Sequence, residues 1–416
     1  MTWETATLGS LGVEVQTGFA SGKHAGDGDV LHLRPMNITS LGTLTLEGGK
    51  FVAADAGTQR VRHGDVLFNN TNSPKWVGKT AWVSAAEDLA FSNHMSRLRA
   101  PSERVDSKFM AIYLHHLQSS GYFEAICSNH VNQASISRKA LLQTELPLPL
   151  LEEQRRIVAI LEDHLSHLDA ADTYLADGER RIRAWRAAAI DEVLWRGNPP
   201  MRPIQGLLRE GMRNGRSDRA VKGQERGTRT LTLTAVTRNS FTDEFTKETV
   251  TPPSVADGLW LEPGDIFVQR ANTPELVGTS ARYEGDRKWA IFPDLLIRLR
   301  PDETRIRGEY LAAALRSERV HRQLRAKAKG LAGSMPKIDQ RAVAETCVPC
   351  PDLESQVGAV IALNHVTGAA SSLSRDVSAQ RRRSATLRRS LLAAAFSGQL
   401  TGSSPGMSVV GGRIEA

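Results

Sequence analysis

A long internal repeat is the feature that most constrains the fold of this 416-residue chain. Residues 63–81, HGDVLFNNTNSPKWVGKTA, align without a gap on residues 263–281, PGDIFVQRANTPELVGTSA. Somewhat later, Arg97-Leu98-Arg99 recurs as Arg298-Leu299-Arg300. A period of about 200 residues is far longer than a solenoid repeat, so the chain is predicted to contain two copies of one domain.

A proline-rich element closes each copy and leads into a long helix. Residues 146–154, LPLPLLEEQ, align on residues 348–356, VPCPDLESQ. The prolines exclude a helix within the element, whereas the acids that follow suit the first turn of one. The two helices end similarly, at Trp195-Arg196-Gly197 and Phe396-Ser397-Gly398.

Within each copy, short β-like runs precede a helical patch. Such runs occupy residues 30–34 and 230–236, and each Gly-Asp turn feeds an apolar strand. Helical patches are predicted at Lys108–Gln118 and Glu309–Lys327. Each copy is therefore predicted to be a mixed α/β (α+β) domain.

Apolar residues recur every seven positions along both long helices. Sustained heptads over about forty residues predict a coiled-coil seam, and an amphipathic surface helix is the alternative. The first helix places five residues in one heptad position, and the second fills two positions: Leu161, Leu168, Leu175, Ile182 and Ala189; then Leu363, Ala370, Val377 and Leu391; then Val366, Leu373, Leu387 and Ala394.

Composition limits the classes of protein to consider. No run of eighteen apolar residues and no signal-like N-terminus occurs, so a cytoplasmic protein without membrane insertion is expected. Three cysteines cannot form a disulfide framework, and Cys347-Val348-Pro349-Cys350 lacks the second ligand pair that a structural zinc site needs, so no metal is expected. The net charge of +7 favours a polyanionic partner, but residues 1–150 carry 13 basic and 13 acidic side chains, so charge alone does not establish one.

Two variable domains, each followed by the Pro-x-Pro-x-Leu-Glu-x-Gln element and a long helix, with the second helix ending in LLAAAFSGQLTG, resemble the specificity (S) subunits of type I restriction-modification enzymes. The resemblance spans nearly the whole chain. It departs from the family pattern at Cys350 and Ser355 and where Trp195 replaces a small-residue ending. It implies two tandem target-recognition domains at residues 1–150 and 198–352, spacer helices at 151–197 and 353–400 that pair as an antiparallel coiled coil, and a disordered tail at 401–416.

The resemblance also implies a function without catalysis by this chain. In the family, each target-recognition domain reads one half of a split double-stranded DNA site, and the paired helices set the gap and dock two modification (methyltransferase) subunits. Restriction (translocase and nuclease) subunits complete the complex. Cofactors are expected on those partners, namely S-adenosylmethionine, ATP and Mg, and none on this chain. A helix of about forty residues gives roughly 60 Å of spacer, which suits half-sites one to two DNA turns apart.

Two other classes remain as alternatives, a coiled-coil scaffold that binds only proteins and a DNA methyltransferase with fused recognition domains. Asn198-Pro199-Pro200-Met201 imitates an adenine-methyltransferase signature, but Met201 replaces its aromatic residue and no Gly-rich cofactor loop lies upstream. Gly78-Lys79-Thr80 ends a near-miss to a phosphate-binding loop that carries Pro74 inside it. No catalytic residue is therefore assigned.

Candidate DNA-reading residues lie in two polar loops of each copy, because amide and cationic side chains read base edges and hold phosphates. Positions that differ between the copies, such as Asn70 against Arg270, are the better candidates for sequence choice, whereas Asn72 and Asn272 recur and suggest turn geometry. An arginine ladder at residues 316, 319, 322 and 325 suggests a phosphate-facing helix. The candidates are Asn69, Asn70, Asn72, Lys75, Lys79, Asn132, Gln133, Ser135 and Arg138 in the first copy, and Gln269, Arg270, Asn272, Arg322, Lys327, Lys329 and Lys337 in the second.

Overall fold

The computed structural model describes residues 3–401, apart from residues 23–29, 56, 58, 85–88, 131–132, 222–226 and 331–334. The chain divides into two compact units. The first unit combines residues 1–175 with residues 379–416, and the second comprises residues 176–378. The predicted tail at 401–416 lies outside the described residues except for Thr401.

The first copy folds as small antiparallel sheets packed against helices. One four-stranded sheet has the order β2-β10-β6-β8, and a second, β4-β3-β9-β5, contains one parallel pair, β3 with β9. The elements are β1 Thr5–Thr7, β2 Glu14–Thr17, β3 Val30–Leu33, β4 Lys50–Val52, β5 Arg60–Val61, β6 Val66–Phe68, β7 Thr71–Asn72, β8 Thr80–Trp82, β9 Leu89–Phe91, β10 Ser96–Arg99, α1 Ser107–Ser119, α2 Tyr122–Ile126, β11 Ser128–His130, β12 Gln133–Ser135, α3 Arg138–Leu142, β13 Glu145–Pro147 and α4 Leu151–Trp195.

The second copy repeats the central sheet with the order β15-β20-β18-β19. Its strand β18 is buried at all four residues, and so is β20. The elements are β14 Met201–Pro203, β15 Arg213–Asn214, β16 Thr228–Leu231, α5 Leu233–Thr237, β17 Thr246–Thr249, α6 Pro253–Ala256, β18 Ile266–Gln269, β19 Ser280–Arg282, β20 Leu296–Leu299, α7 Gly308–Arg316, α8 Glu318–Ala326, α9 Gln340–Ala344, β21 Cys347–Pro349 and α10 Leu353–Phe396. Short 3₁₀ turns cover Pro35–Asn37, Ile204–Leu207 and Asp243–Phe245. The mixed α/β class predicted from the sequence is confirmed.

Two details of the second copy correct the sequence interpretation. The run at 230–236 is not one strand, because β16 ends at Leu231 and helix α5 begins at Leu233. The helical patch at 309–327 is broken at Ser317, which is extended (φ −64°, ψ 146°) and buried. The arginine ladder across that break is therefore not one helix face.

The recurring Gly-Asp turn positions a buried ion pair in each copy. Gly64 and Gly264 have φ of +89° and +94°, which glycine adopts without steric cost. Asp65 then accepts two hydrogen bonds from Arg99, at 2.5 and 3.0 Å. Asp265 accepts the same pair from Arg300, at 2.7 and 3.4 Å. The repeated Gly-Asp and Arg-Leu-Arg motifs thus form one structural unit.

The recurring glutamine of the proline-rich element joins the start of each long helix to its domain. The Gln154 Oε1 accepts from the Asp106 amide at 2.9 Å, and its Nε2 donates to the carbonyls of Arg104 and Pro149 at 3.0 and 2.9 Å. Gln356 repeats the contact with the Arg307 amide at 2.8 Å. Both glutamines are fully buried. The motif therefore connects the start of α4 to the start of α1, and the start of α10 to the start of α7.

Replacing Gln154 with leucine is expected to lower the free energy of unfolding of the first unit by roughly 2–4 kcal/mol, because a buried amide and two carbonyls lose their partners. Urea unfolding followed by circular dichroism measures the change. Arg155→Leu, on the exposed neighbouring position, is the control and should shift stability by less than about 0.5 kcal/mol. Equal effects of the two variants would contradict the role assigned to Gln154.

The long helices pack antiparallel within each unit, which confirms the predicted pairing. In the first unit, Leu161 of α4 shares a core with Leu392 and Ala395 of α10. In the second, Leu194 of α4 shares a core with Leu363 of α10. One detail of the heptad assignment is wrong. Leu373 and Leu387 are 47% and 57% exposed, so the second heptad position is not buried along its whole length.

Candidate nucleic-acid interface

The two candidate loops of the first copy lie together in the structure. Strand β7 pairs with β12 in a three-stranded sheet, with Asn72 opposite Ala134 and Thr71 opposite Ser135. The Ile136 amide also donates to the carbonyl of Asn70 at 2.8 Å. Residues some sixty positions apart in the sequence therefore form one polar surface.

The second copy brings its two loops together in the same way. Ala271 forms a bridge with Lys337, which itself bridges Lys329. The Ile338 amide donates to the carbonyl of Arg270 at 2.8 Å, as Ile136 does to Asn70. We call these two surfaces the paired-loop surfaces, residues 70–76 with 133–138 in the first copy, and residues 270–276 with 329 and 335–340 in the second.

Several candidates are accessible on the first paired-loop surface. Lys75, Gln133 and Arg138 are exposed, whereas Asn70 and Ser135 are half-buried. The Asn70 Nδ2 donates to the Ser96 hydroxyl at 2.9 Å, which fixes its amide beside the first residue of β10. Asn132 lies outside the described residues.

Three candidates are instead buried and bonded within their own domains. The Asn69 amide donates to the carbonyl of Pro35 at 3.1 Å, and the Gln269 amide donates to Leu233 at 2.9 Å. The Lys79 ammonium donates to the carbonyl of Ile38, and burial lowers the pKa of Lys79. In this conformation these side chains bond backbone carbonyls of their own domains and are buried from solvent.

The recurring asparagines occupy equivalent turns. The Asn72 side-chain oxygen accepts from the Ser73 amide at 2.9 Å, and that of Asn272 accepts from Thr273 at 2.8 Å. The Asn272 Nδ2 also donates to Gln269 at 2.6 Å. Side chains of this type stabilise turns by bonding the nearby backbone. Their recurrence is therefore explained by the fold.

The cationic candidates of the second copy differ in how exposed their side chains are and in whether they already have a partner. The Lys327 ammonium donates to Ala342 and Thr346 at 3.3 and 3.2 Å, next to the end of helix α9. Arg322 is exposed but lies 3.5 Å from Glu318. Lys329 and Lys337 are exposed on the paired-loop surface. The last two are therefore the best placed to meet a phosphate.

Trp76 is a surface residue that the sequence interpretation missed. It is 37% exposed at the tip of the first loop, and the ammonium of Lys75 lies 5.1 Å from its ring centroid. An exposed aromatic ring beside a lysine is a typical surface for stacking with nucleic-acid bases. The equivalent positions in the second copy are Glu275 and Leu276. The signal was available in the sequence as a tryptophan next to a lysine in a polar loop.

The described residues form neither a membrane-spanning helix nor a metal-binding cluster. Over the described ranges, no helix is long and apolar enough to cross a membrane. Among the same residues, no three His, Cys, Asp or Glu side chains cluster to hold a metal ion. Cys127, Cys347 and Cys350 are free thiols, and burial raises the pKa of Cys350.

Both the sequence and the fold of this chain are similar to those of known proteins. Residues 2–172 match the protein family described as "Type I restriction modification DNA specificity domain". A segment of 110 residues is 33% identical to the MjaX type I restriction enzyme specificity subunit of Methanocaldococcus jannaschii. That segment covers 26% of this chain and 26% of the relative, so the chain matches about a quarter of its length.

One solved structure extends the likeness in fold to nearly the whole chain. A chain of a type I R-M system, from a study of its complex assembly and conformational transition, has a TM-score of 0.72 at 18% identity, over 96% of this chain and 98% of that one. The HsdS subunit of Thermoanaerobacter tengcongensis has a TM-score of 0.48 at 19% identity, over 96% and 97% of the two chains. The repeated motifs, the family match over residues 2–172 and the shared fold together confirm the resemblance to the specificity subunits of type I restriction-modification enzymes.

Proposed function

We propose that each unit of this chain reads one half of a bipartite, asymmetric site in double-stranded DNA. The observation that carries the proposal is the pair of paired-loop surfaces. Each has the same backbone pairing and follows a strand that begins directly after the equivalent ion-paired aspartate, but the two carry different side chains. A duplicated scaffold with exchanged surface residues is what reading two different half-sites requires.

The exchanged positions can be followed along the aligned backbone. Asn70 is replaced by Arg270 and Lys75 by Glu275, while Ser135 becomes Lys337. Arg and Lys donate to guanine, Asn to adenine, and a carboxylate accepts from cytosine. The two surfaces therefore present different hydrogen-bond patterns, which supports different half-site sequences.

The long helices supply the second part of the proposal. Helices α4 and α10 have 45 and 44 residues, so each is roughly 65 Å long at 1.5 Å per residue. We propose that they set the gap between half-sites and dock two modification subunits. Methyl transfer and DNA cleavage are then performed by partner subunits, which carry S-adenosylmethionine, ATP and Mg, and this chain acts with them in the cytoplasm as the non-catalytic reader.

Methylome sequencing tests the function. A host expressing this chain with its neighbouring methyltransferase is compared with a strain that lacks only this chain. Loss of one split, asymmetric methylated motif on deletion supports the proposal and reveals both half-sites. An unchanged methylome would contradict it and favour a coiled-coil scaffold, and methylation by the chain alone would favour a methyltransferase.

Arg270→Ala is expected to relax one position of one half-site and leave the other half-site unchanged. The Arg270 side chain is half-buried at the edge of the second paired-loop surface. Loss of a bidentate contact to guanine would weaken binding of the cognate site by about 1–3 kcal/mol. Fluorescence anisotropy with singly substituted duplexes measures this. Arg287→Ala, an exposed arginine of the same unit outside the surface, is the control, and an unchanged sequence preference in Arg270→Ala would exclude the contact.

A further inference from the structure

A cleft within the second unit contains more positive charge than the unit neutralises. The cleft has a volume of about 550 Å³ and lies between the helix pair and helix α7. Arg183 and Arg186 of α4 and Arg316 of α7 line it, and its walls include the apolar side chains of Ile190 and Leu363. It therefore combines an apolar surface with a group of guanidinium ions.

The acids around the cleft are already paired with other arginines. Arg282 contacts Glu284 and lies 3.6 Å from Glu309. Glu318 is held by Arg325 at 2.7 Å. In the part of the chain that the structure describes, Arg183, Arg186 and Arg316 make no ion pair. Three cations thus face the cleft without a partner from their own unit.

The corresponding cleft of the first unit shows what the second has lost. It measures about 370 Å³ and is lined by α1, α4 and α10. Lys108 pairs there with Glu162, and Arg388 pairs with Asp169 at 2.5 Å. Its cations are therefore neutralised within the unit.

Sequence exchange between the copies explains the difference. In the alignment of the long helices, Asn364 stands in place of Glu162, and in that of the preceding helices Arg316 stands in place of His115. Residues 151–175 of α4 carry six acids, whereas Glu354 and Asp376 are the two acids of α10 between residues 353 and 378. The second cleft thus lacks the carboxylates of Glu162 and Asp169, which align on Asn364 and Ser371. It gains Arg316, while Glu309 stands in place of Lys108.

We propose that the second cleft binds an acidic, partly apolar segment of a partner protein, and that the first cleft does not. A DNA duplex is a broad convex rod whose backbone offers phosphates and sugars, so it fits poorly into a small concave cleft with apolar walls. A protein segment presents carboxylates and apolar side chains together, which complements both features of the site. This inference rests on the proposed docking of two modification subunits, and it makes the two docking sites unequal, with the second sensitive to salt.

Native mass spectrometry and sedimentation of the full-length chain with its modification subunit test the inference. The variant is Arg183→Glu with Arg186→Glu, two exposed helix positions. The wild type should bind two modification subunits at low salt, and the variant should retain one and bind the second roughly 10- to 100-fold more weakly. Arg181→Glu, exposed on the same helix but outside the cleft, should bind two as the wild type does.

Three results would overturn the inference. Two subunits bound with wild-type affinity by the double variant would exclude the cleft as a docking site, and an equal loss in Arg181→Glu would assign the effect to general charge. Normal assembly with weaker, less salt-dependent DNA binding would identify a phosphate site instead. If the wild-type chain binds no modification subunit, the proposed function itself fails, which distinguishes that failure from the failure of this inference alone.

Discussion

Asp265→Ala is expected to lower the free energy of unfolding of the second unit by about 3–5 kcal/mol, since it removes the buried carboxylate that accepts two hydrogen bonds from Arg300 and leaves that guanidinium with only the more exposed Glu210 and Glu262. The Asp265 side chain is 1% exposed and Arg300 is 13% exposed. The same carboxylate accepts from the Glu262 amide at 2.9 Å, so the turn before β18 also loses a hydrogen bond. Differential scanning calorimetry, which separates the transitions of the two units, measures the loss.

A neighbouring acid provides the control for this prediction. The Glu262 carboxylate lies 3.2 Å from Arg300 but is 30% exposed. Its replacement by alanine should cost less than about 1 kcal/mol, because exposed ion pairs contribute little. Asp65→Ala should destabilise the first unit less than Asp265→Ala destabilises the second, since Arg99 is 27% exposed and can be solvated. Similar losses for Glu262→Ala and Asp265→Ala would contradict the importance of burial.

Recurrence between the copies predicted much of the architecture because it separates two kinds of constraint. The proposed function requires two different half-sites, and on that proposal a residue kept in both copies serves the fold that they share. Asp65 and Gln154 obey this rule, since their counterparts make the same buried contacts. Positions that differ between the copies, such as Asn70 and Arg270, lie on the paired-loop surfaces.

The features of the fold and of the candidate site that the sequence did not predict depend on tertiary contacts between residues far apart in the chain. Asn69 and Gln269 are polar and loop-like in sequence, yet both are buried, because each finds a carbonyl partner elsewhere in its domain. The break at Ser317 was invisible because the residues on both sides of it favour a helix. The unpaired arginines could be recognised only when the helix facing them was known.

Leu392→Arg is expected to unfold the first unit while the second unit keeps its stability. Leu392 and Leu8 lie near opposite ends of the sequence, yet both are buried in the core of the first unit. Phe396, one turn later, packs edge-on against Phe109 at 5.4 Å between ring centroids. The last turns of α10 are thus part of the core of the first unit, and a charge placed there has no partner.

The helix itself offers a matched control for that substitution. Leu392 is 2% exposed and Leu387, five residues earlier, is 57% exposed. Leu387→Arg should therefore leave both units folded, whereas Leu392→Arg should cost more than about 4 kcal/mol. Hydrogen exchange by mass spectrometry, resolved by peptide, reports each unit separately. Leu392→Arg could instead lower the protection of backbone amides from exchange equally in both units, or leave it unchanged in the first unit. Either result would mean that the last turns of α10 do not complete the core of the first unit. The expected loss in the first unit alone would show that the last turns of α10 complete the core of that unit.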